Sequence, residues 1–348
     1  MSTAHYPAKP EVGDRVAIVS PSGGALPHHL PMPYELGLAR LRDEFGLEPV
    51  EYPATRSPES TPRQRAEDLH AAFSDPDITA VICSIGGDDQ ITVLPYLDAD
   101  LLSANPKPFF GFSDATNMLA YLASIGLVGY HGGAIMTAFG RPQAMHELTR
   151  ESLRAALFTR GEYELRPAGE FTDTGKDWAE ASTFESAPEM FAGDGWTWRN
   201  AESAVSGRAW GGCLEIASWL AMADVAVPDL EYFDNAVLVF ETSEEMPAAE
   251  DVYRILRNFG ERGILGRCRA FVMGRPKAWS FAHPNTPRER EEFCARQREA
   301  VCRALDEYAP GILTVMNLDI GHTDPQLIIP YGGDITVDGV QRRITVTY

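Results

Sequence analysis

Within its first 132 positions the chain repeats one pattern. A short run of β-branched and aromatic residues meets a turn of small or acidic ones, and an amphipathic stretch follows. Residues 15–20 (RVAIVS) run into Pro21-Ser22-Gly23-Gly24, and residues 80–85 (AVICSI) into Gly86-Gly87-Asp88-Asp89. Residues 108–112 lead to Ser113-Asp114, and residues 127–130 to His131-Gly132-Gly133. Residues 34–45 carry Leu38, Leu41 and Phe45 at helical spacing. Neighbouring parallel strands need a long crossover, and a helix is the usual one. The pattern therefore predicts an α/β fold whose N-terminal domain is a mostly parallel sheet flanked by helices.

The rhythm breaks at residues 161–205, rich in Gly, Pro, Asp and Thr and holding Trp178, Trp196 and Trp198. We read them as a Trp-containing connector loop. It divides an N-terminal domain, 1–160, from a smaller α/β C-terminal domain, 206–348; 348 residues leave room for two cores. The second part predicts strands at 236–241 (AVLVFE), 269–274 and 313–318 and a long charged helix over 287–307. A helix over 248–260 places Val252, Ile255, Leu256 and Phe259 on one face, and the tail reads as a hairpin around Asp338-Gly339.

The formal charge of −20 opposes binding to nucleic acid or anionic membranes. No run of eighteen apolar residues and no signal-peptide core is visible, so the expectation is a soluble cytoplasmic protein. Cys83, Cys213, Cys268, Cys294 and Cys302 are odd in number and form no C-x-x-C pair. Free thiols are expected, with no disulfide framework, no metal site and no other cofactor.

Gly111-Phe112-Ser113-Asp114-Ala115 sits where a strand meets a helix, and Ala115, Met118, Leu119 and Leu122 keep helical spacing after it. The segment approaches the nucleophile elbow G-x-S-x-G, with alanine for the last glycine. Such a turn lifts the hydroxyl of Ser113 off the sheet and sets it at a helix N-terminus, though serine also caps helices there for purely structural reasons. A serine nucleophile needs a base. His131 and His322 each follow a predicted strand, where sites on α/β sheets gather. Glu241 ends the apolar run Val-Leu-Val-Phe, and a carboxylate there demands a partner. Ser113, Glu241 and His322 follow one known chain order of triads. The amide of Asp114 is a candidate oxyanion donor, and Gly86-Gly87 at the end of the neighbouring strand are candidates for the second. Neither glycine-rich turn extends to the G-x-G-x-x-G of dinucleotide sites.

Several segments in order resemble the LD-carboxypeptidase serine peptidases, and among them the microcin C self-immunity branch. They are Pro21-Ser22-Gly23, Ser84-Ile85-Gly86-Gly87, Gly111-Phe112-Ser113-Asp114, Trp210-Gly211-Gly212, VFETSEE at 239–245, GHTDPQ at 321–326 and Pro330-Tyr331-Gly332. The resemblance implies a site between the two domains, with Ser113 as nucleophile, Glu241 as acid and His322 as base. It implies the amides of Gly87 and Asp114 as the oxyanion hole, no metal, and a cytoplasmic homodimer. Trp178, Gly86 and His131 are carried as substrate-binding candidates, Trp178 as the aromatic that stacks on adenine. Trp196 and Trp198 read as framework. Cys213 stands where many relatives have asparagine, which puts a polar substrate contact in question.

The reading that follows is a serine peptidase or amidase cutting the amide between an aminoacyl or peptidyl group and a nucleotide-like moiety. Trimming of muropeptides by an LD-carboxypeptidase is the alternative within the family. A non-catalytic small-molecule binding protein is the alternative outside it.

Overall fold

The computed structural model describes residues 4–348. Two mixed sheets carry the chain. The first uses β1 (Arg15–Val19), β2 (Glu48–Glu51), β3 (Ile78–Cys83), β4 (Phe109–Gly111) and β5 (Gly129–His131), all parallel. Residues 162–205 add β6 (Glu162–Leu165), β7 (Glu170–Phe171), β8 (Phe191–Ala192) and β9 (Thr197–Arg199). The remainder holds β10 (Ala204–Cys213), β11 (Ala236–Glu241), β12 (Ala270–Gly274), β13 (Leu313–Leu318), β14 (Ile329–Tyr331), β15 (Asp334–Asp338) and β16 (Arg343–Thr347). The two-domain α/β expectation holds, with the first sheet mostly parallel.

The inner strands β1 and β3 are nearly continuous apolar runs because helices cover both faces, while the edge strand β2 is polar and partly exposed. Helix Pro31–Asp43 buries Tyr34, Leu38 and Leu41 on one face. Helix Pro62–Ser74 buries Leu69 and Phe73 and opens on a capping box between Thr61 and Gln64. The strand order β14-β5-β4-β3-β1-β2 reverses direction between β3 and β1. At such a reversal the loops after the two strands diverge and leave a crevice at the carboxyl edge. The turns after β1, β3, β4 and β5 all emerge on that edge.

In the second sheet β10, β11, β12 and β13 are parallel, and antiparallel strands flank them, in the order β6-β16-β15-β10-β11-β12-β13-β9. Two long-range exchanges tie the halves together. β14, late in the chain, pairs with β5 in the first sheet. The stretch expected as a connector supplies β6 and β9 to the two edges of the second. Between β9 and β6 the segment is largely irregular, as its composition predicts. Pairing partners more than a hundred residues away are not visible in local patterning. One apolar cluster runs across both halves, from Phe109 and Met118 to Trp210, Phe240 and Phe271. The backbone N–H of Cys213 donates to Thr116 Oγ1 at 3.0 Å, fixing the end of β10 against the helix that follows Ser113. The carboxyl edges of the two parallel sets thus meet along one seam.

Candidate active site

Phe112 leaves β4 extended, and Ser113 then takes φ 59°, a left-handed conformation disfavoured for a residue with a Cβ. A single 3₁₀ turn, Ser113–Ala115, passes into helix Thr116–Ser124. The turn is clamped through Asp114, which is buried: its Oδ2 accepts the Gln90 backbone N–H at 2.9 Å and its Oδ1 the Asn117 amide at 2.8 Å. Burial raises the Asp114 pKa, and hydrogen bonds from the Ser22 side chain and from the backbone of Gln90 and Asp89 work against the rise. Gly86 packs onto the turn: a Cβ there would lie 2.9 Å from Ser113 Cβ and 3.1 Å from its Oγ. Gly87 lies on Ser22, at the reversal point between β1 and β3. Around the Ser113 hydroxyl the positions are set by backbone path and by the absence of side chains at Gly86 and Gly87, with the Asp114 carboxylate clamping the turn from within.

The opposite lip is made of ionisable groups. Glu241, the last residue of β11, is fully enclosed. Its Oε2 lies 2.6 Å from His322 Nδ1, and its Oε1 lies 3.6 Å from His131 Nε2. Burial pushes the Glu241 pKa up, but the two imidazoles outweigh it and hold the carboxyl down at about 2. Gly321, at φ 79°, permits the approach, since a Cβ there would sit 2.2 Å from Glu241 Oε2. Gln326 bridges the halves: its Nε2 donates to the Gly321 carbonyl at 2.7 Å, and its Oε1 accepts the Gly133 N–H at 2.8 Å. The His322 ring packs edge-on against Phe112, centroids 5.1 Å apart, immediately beside Ser113.

The expected triad is therefore gathered at one seam, but Ser113 and His322 share no hydrogen bond. The nitrogen that would face the serine, Nε2, lies 2.9 Å from Glu244 Oε2. Burial alone lowers the His322 pKa, whereas the two carboxylates raise it, with the net effect upward, to about 10. From sequence Glu244 reads only as an acid in the turn after β11. What holds that turn is Glu215, whose Oε1 accepts both the N–H of Ser243 (3.0 Å) and its hydroxyl (2.7 Å). Three residues after the strand's terminal acid, in a tight turn, is the one signal for Glu244 that the sequence carries.

The other candidates divide. His131 is buried, with its Nε2 3.6 Å from Glu241 Oε1, so its ring faces the acid. Cys213 is buried too, opposite Glu241 across the β10–β11 ladder, with its Sγ 3.5 Å from Glu215 Oε2. Trp178 lies in a turn of the irregular segment, half-buried against the second apolar cluster. Trp196 donates its indole N–H to Asp319 Oδ2 at 2.9 Å, and Trp198 sits on β9 opposite Val315. Both tryptophans are framework.

Residues 16–132 match the model of the LD-carboxypeptidase N-terminal domain, and residues 206–337 that of the C-terminal domain. The chain belongs to the LD-carboxypeptidase family. Among relatives, it is 25% identical over 297 residues to the microcin C7 self-immunity protein MccF of Escherichia coli, covering 82% of this chain and 79% of that one. A structure of MccF in complex with glutamyl sulfamoyl guanosine superposes with a TM-score of 0.85 at 23% identity, over 98% of each chain. An MccF-like protein from Streptococcus pneumoniae in complex with AMP superposes at 0.84 and 27% identity, over 96% of this chain and 99% of that one. The LD-carboxypeptidase family is a peptidase family, so this member is a hydrolase of the serine peptidase type.

Proposed function

We propose that this family member hydrolyses the amide joining an aminoacyl or peptidyl group to a nucleotide-like moiety, as a cytoplasmic homodimer. Ser113 Oγ attacks the carbonyl carbon while His322 Nε2 takes its proton. His322 returns that proton to the departing nitrogen, leaving an ester on Ser113, and water then cleaves the ester by the same steps in reverse. Glu241, held 2.6 Å from Nδ1, fixes the ring's tautomer and stabilises its cation. The amides of Gly87 and Asp114 receive the developing oxyanion, at the start of the turn where backbone N–H groups are unpaired. Gly86 leaves room for the acyl group beside Ser113.

The observation that carries the chemistry is the seam itself: a left-handed serine on one lip and a Glu–His pair on the other. The choice of a nucleotide-like leaving group rests on the full-length likeness to the AMP-bound pneumococcal protein. It also rests on Trp178, a half-buried indole in the irregular segment. Stacking of a base on such a face contributes roughly 1–3 kcal/mol. Trimming of muropeptides is the competing activity, and the family's LD-carboxypeptidase name supports a carboxypeptidase of that kind. The two are separated by kcat/KM on an aminoacyl sulfamoyl-adenosine and on a muropeptide tetrapeptide, with the wild type and Trp178→Ala. The nucleotide-like substrate should be the better one, and the substitution should cost it about 10–100-fold. A better muropeptide rate in the wild type overturns the proposal.

A further inference from the structure

The His322 ring has two nitrogens and the structure gives each a carboxylate. Glu241 Oε2 lies 2.6 Å from Nδ1 and Glu244 Oε2 lies 2.9 Å from Nε2. The two acids are held very differently. Glu241 is wholly enclosed, and Gly321 presses against it. The Glu244 side chain is 60% exposed, and its turn is anchored through Ser243 rather than through its own carboxylate. Glu241 cannot leave the ring, whereas Glu244 needs only a rotation into solvent. As long as it stays, Nε2 carries a proton and donates it to a carboxylate, so it cannot accept one from Ser113.

We propose that Glu244 is a latch on the base, and that a substrate ammonium group beside the scissile carbonyl opens it. This rests on the triad and on the aminoacyl substrate proposed above. An aminoacyl group places its α-ammonium on the carbon next to the carbonyl that Ser113 attacks. A carboxylate at Nε2 is thus within a side-chain rotation of that cation. Moving from imidazolium to ammonium, Glu244 exchanges one cationic partner for another. Nε2 then loses its proton to solvent and turns to the serine hydroxyl. A substrate whose α-nitrogen is acylated, a peptidyl group included, has no charge there and leaves the latch closed, so the latch narrows the substrate class proposed above to its aminoacyl members. Glu244 is accordingly a positioning and specificity residue for the reaction.

The groups around this switch are few. Glu241 comes from β11 and Glu244 from the turn after it, while Phe112 supplies an uncharged ring face from the nucleophile turn. His131 of β5 faces Glu241, and Cys213 at the end of β10 and Glu215 in the first turn of the helix after it follow. Lys277, in the loop after β12, feels the charges of Asp173, Glu244 and Asp324. It offers the released carboxylate a favourable field.

The test uses the full-length protein and two readouts. The first is the rate at which a fluorophosphonate labels Ser113 across pH, which needs the base but no natural substrate. Wild type should label with an acidic limb centred above the ordinary histidine value of about 6.5. Glu244→Gln keeps the shape and removes the charge. Its limb should move down by about one unit or more, which at low pH is about tenfold faster labelling. The second readout is kcat/KM on an aminoacyl sulfamoyl-adenosine with its α-amine free or acetylated. Wild type should prefer the free amine by at least about tenfold, and Glu244→Gln should lose most of that preference. An unchanged limb in Glu244→Gln overturns the latch, and equal rates on free and acetylated substrates overturn its opening by ammonium. If neither protein labels at any pH, the serine assignment fails and the latch fails with it. If labelling shifts as expected while neither nucleotide-like substrate is cut, the substrate class is wrong and the opening by an aminoacyl ammonium falls, with the latch standing.

Discussion

The two lips of the seam are built on different principles. The Ser113 lip is made of backbone: a left-handed serine, a 3₁₀ turn, and Gly86 and Gly87 where side chains would collide. The nearest charge is Asp114, which points inward to clamp the turn. The His322 lip is made of charge, with Glu241, Glu244 and Glu215 around one imidazole and one thiol. Backbone geometry is stiff and insensitive to pH. Ion pairs depend on pH and on how completely each partner is enclosed. A nucleophile needs direction and a base needs a tuned proton affinity, so each lip suits its task.

Removing one atom from the stiff lip should have the largest effect on rate and the least on fold. Ser113→Ala is expected to lower hydrolysis by roughly four to six orders of magnitude, because triad members act as a unit. Its melting temperature should match the wild type or exceed it slightly, since the left-handed position is strained for either residue. Near-normal turnover in a folded Ser113→Ala protein would show that the nucleophile lies elsewhere.

The charged lip should fail in both rate and stability. Gly321→Ala forces a Cβ to 2.2 Å from Glu241 Oε2 at a φ of 79°, and Glu241 is too enclosed to retreat. We expect a loss of roughly 1–3 kcal/mol in denaturant unfolding, from strain and a disturbed buried pair. A fall in kcat of at least about 100-fold should accompany it, the scale of an ångström's misplacement. If kcat survives intact, the Glu241–His322 distance is not what the base requires.

The smallest effect is expected back on the stiff lip. Gly86 has no left-handed φ, so Gly86→Ala meets only the crowding of Ser113 Cβ and Oγ. Activity should fall by about 10–100-fold through displacement of the hydroxyl, with stability within about 1 kcal/mol of wild type. An unfolded Gly86→Ala protein would break the contrast, because it would make this lip as dependent on packing as the other.

The pH behaviour gives the same contrast from a different side. An isolated histidine base predicts a rate midpoint near about 6.5. Here Glu241 and Glu244 together move the His322 proton affinity upward, against the effect of burial. One of those acids could be foreseen as the third member of a triad. The other emerges only when the turn after β11 folds back under the anchorage of Glu215.

By itself the sequence determined what local chemistry controls. Runs of apolar residues ending in glycine and serine turns made the parallel sheet legible. A serine between strand and helix marked the nucleophile candidate, and an acid closing an apolar strand and a histidine following another marked its partners. These are short-range signals, because strand, turn and helix starts are decided within a few residues. Tertiary structure decided what depends on distant neighbours. It returned β14 to the first sheet and recruited β6 and β9 to the second. It buried His131 against Glu241 and Cys213 against Glu215, and it set Glu244 on the nitrogen of His322 that the serine requires. No spacing rule carries such information, since which carboxylate reaches an imidazole is settled by the packing of loops from separate strands.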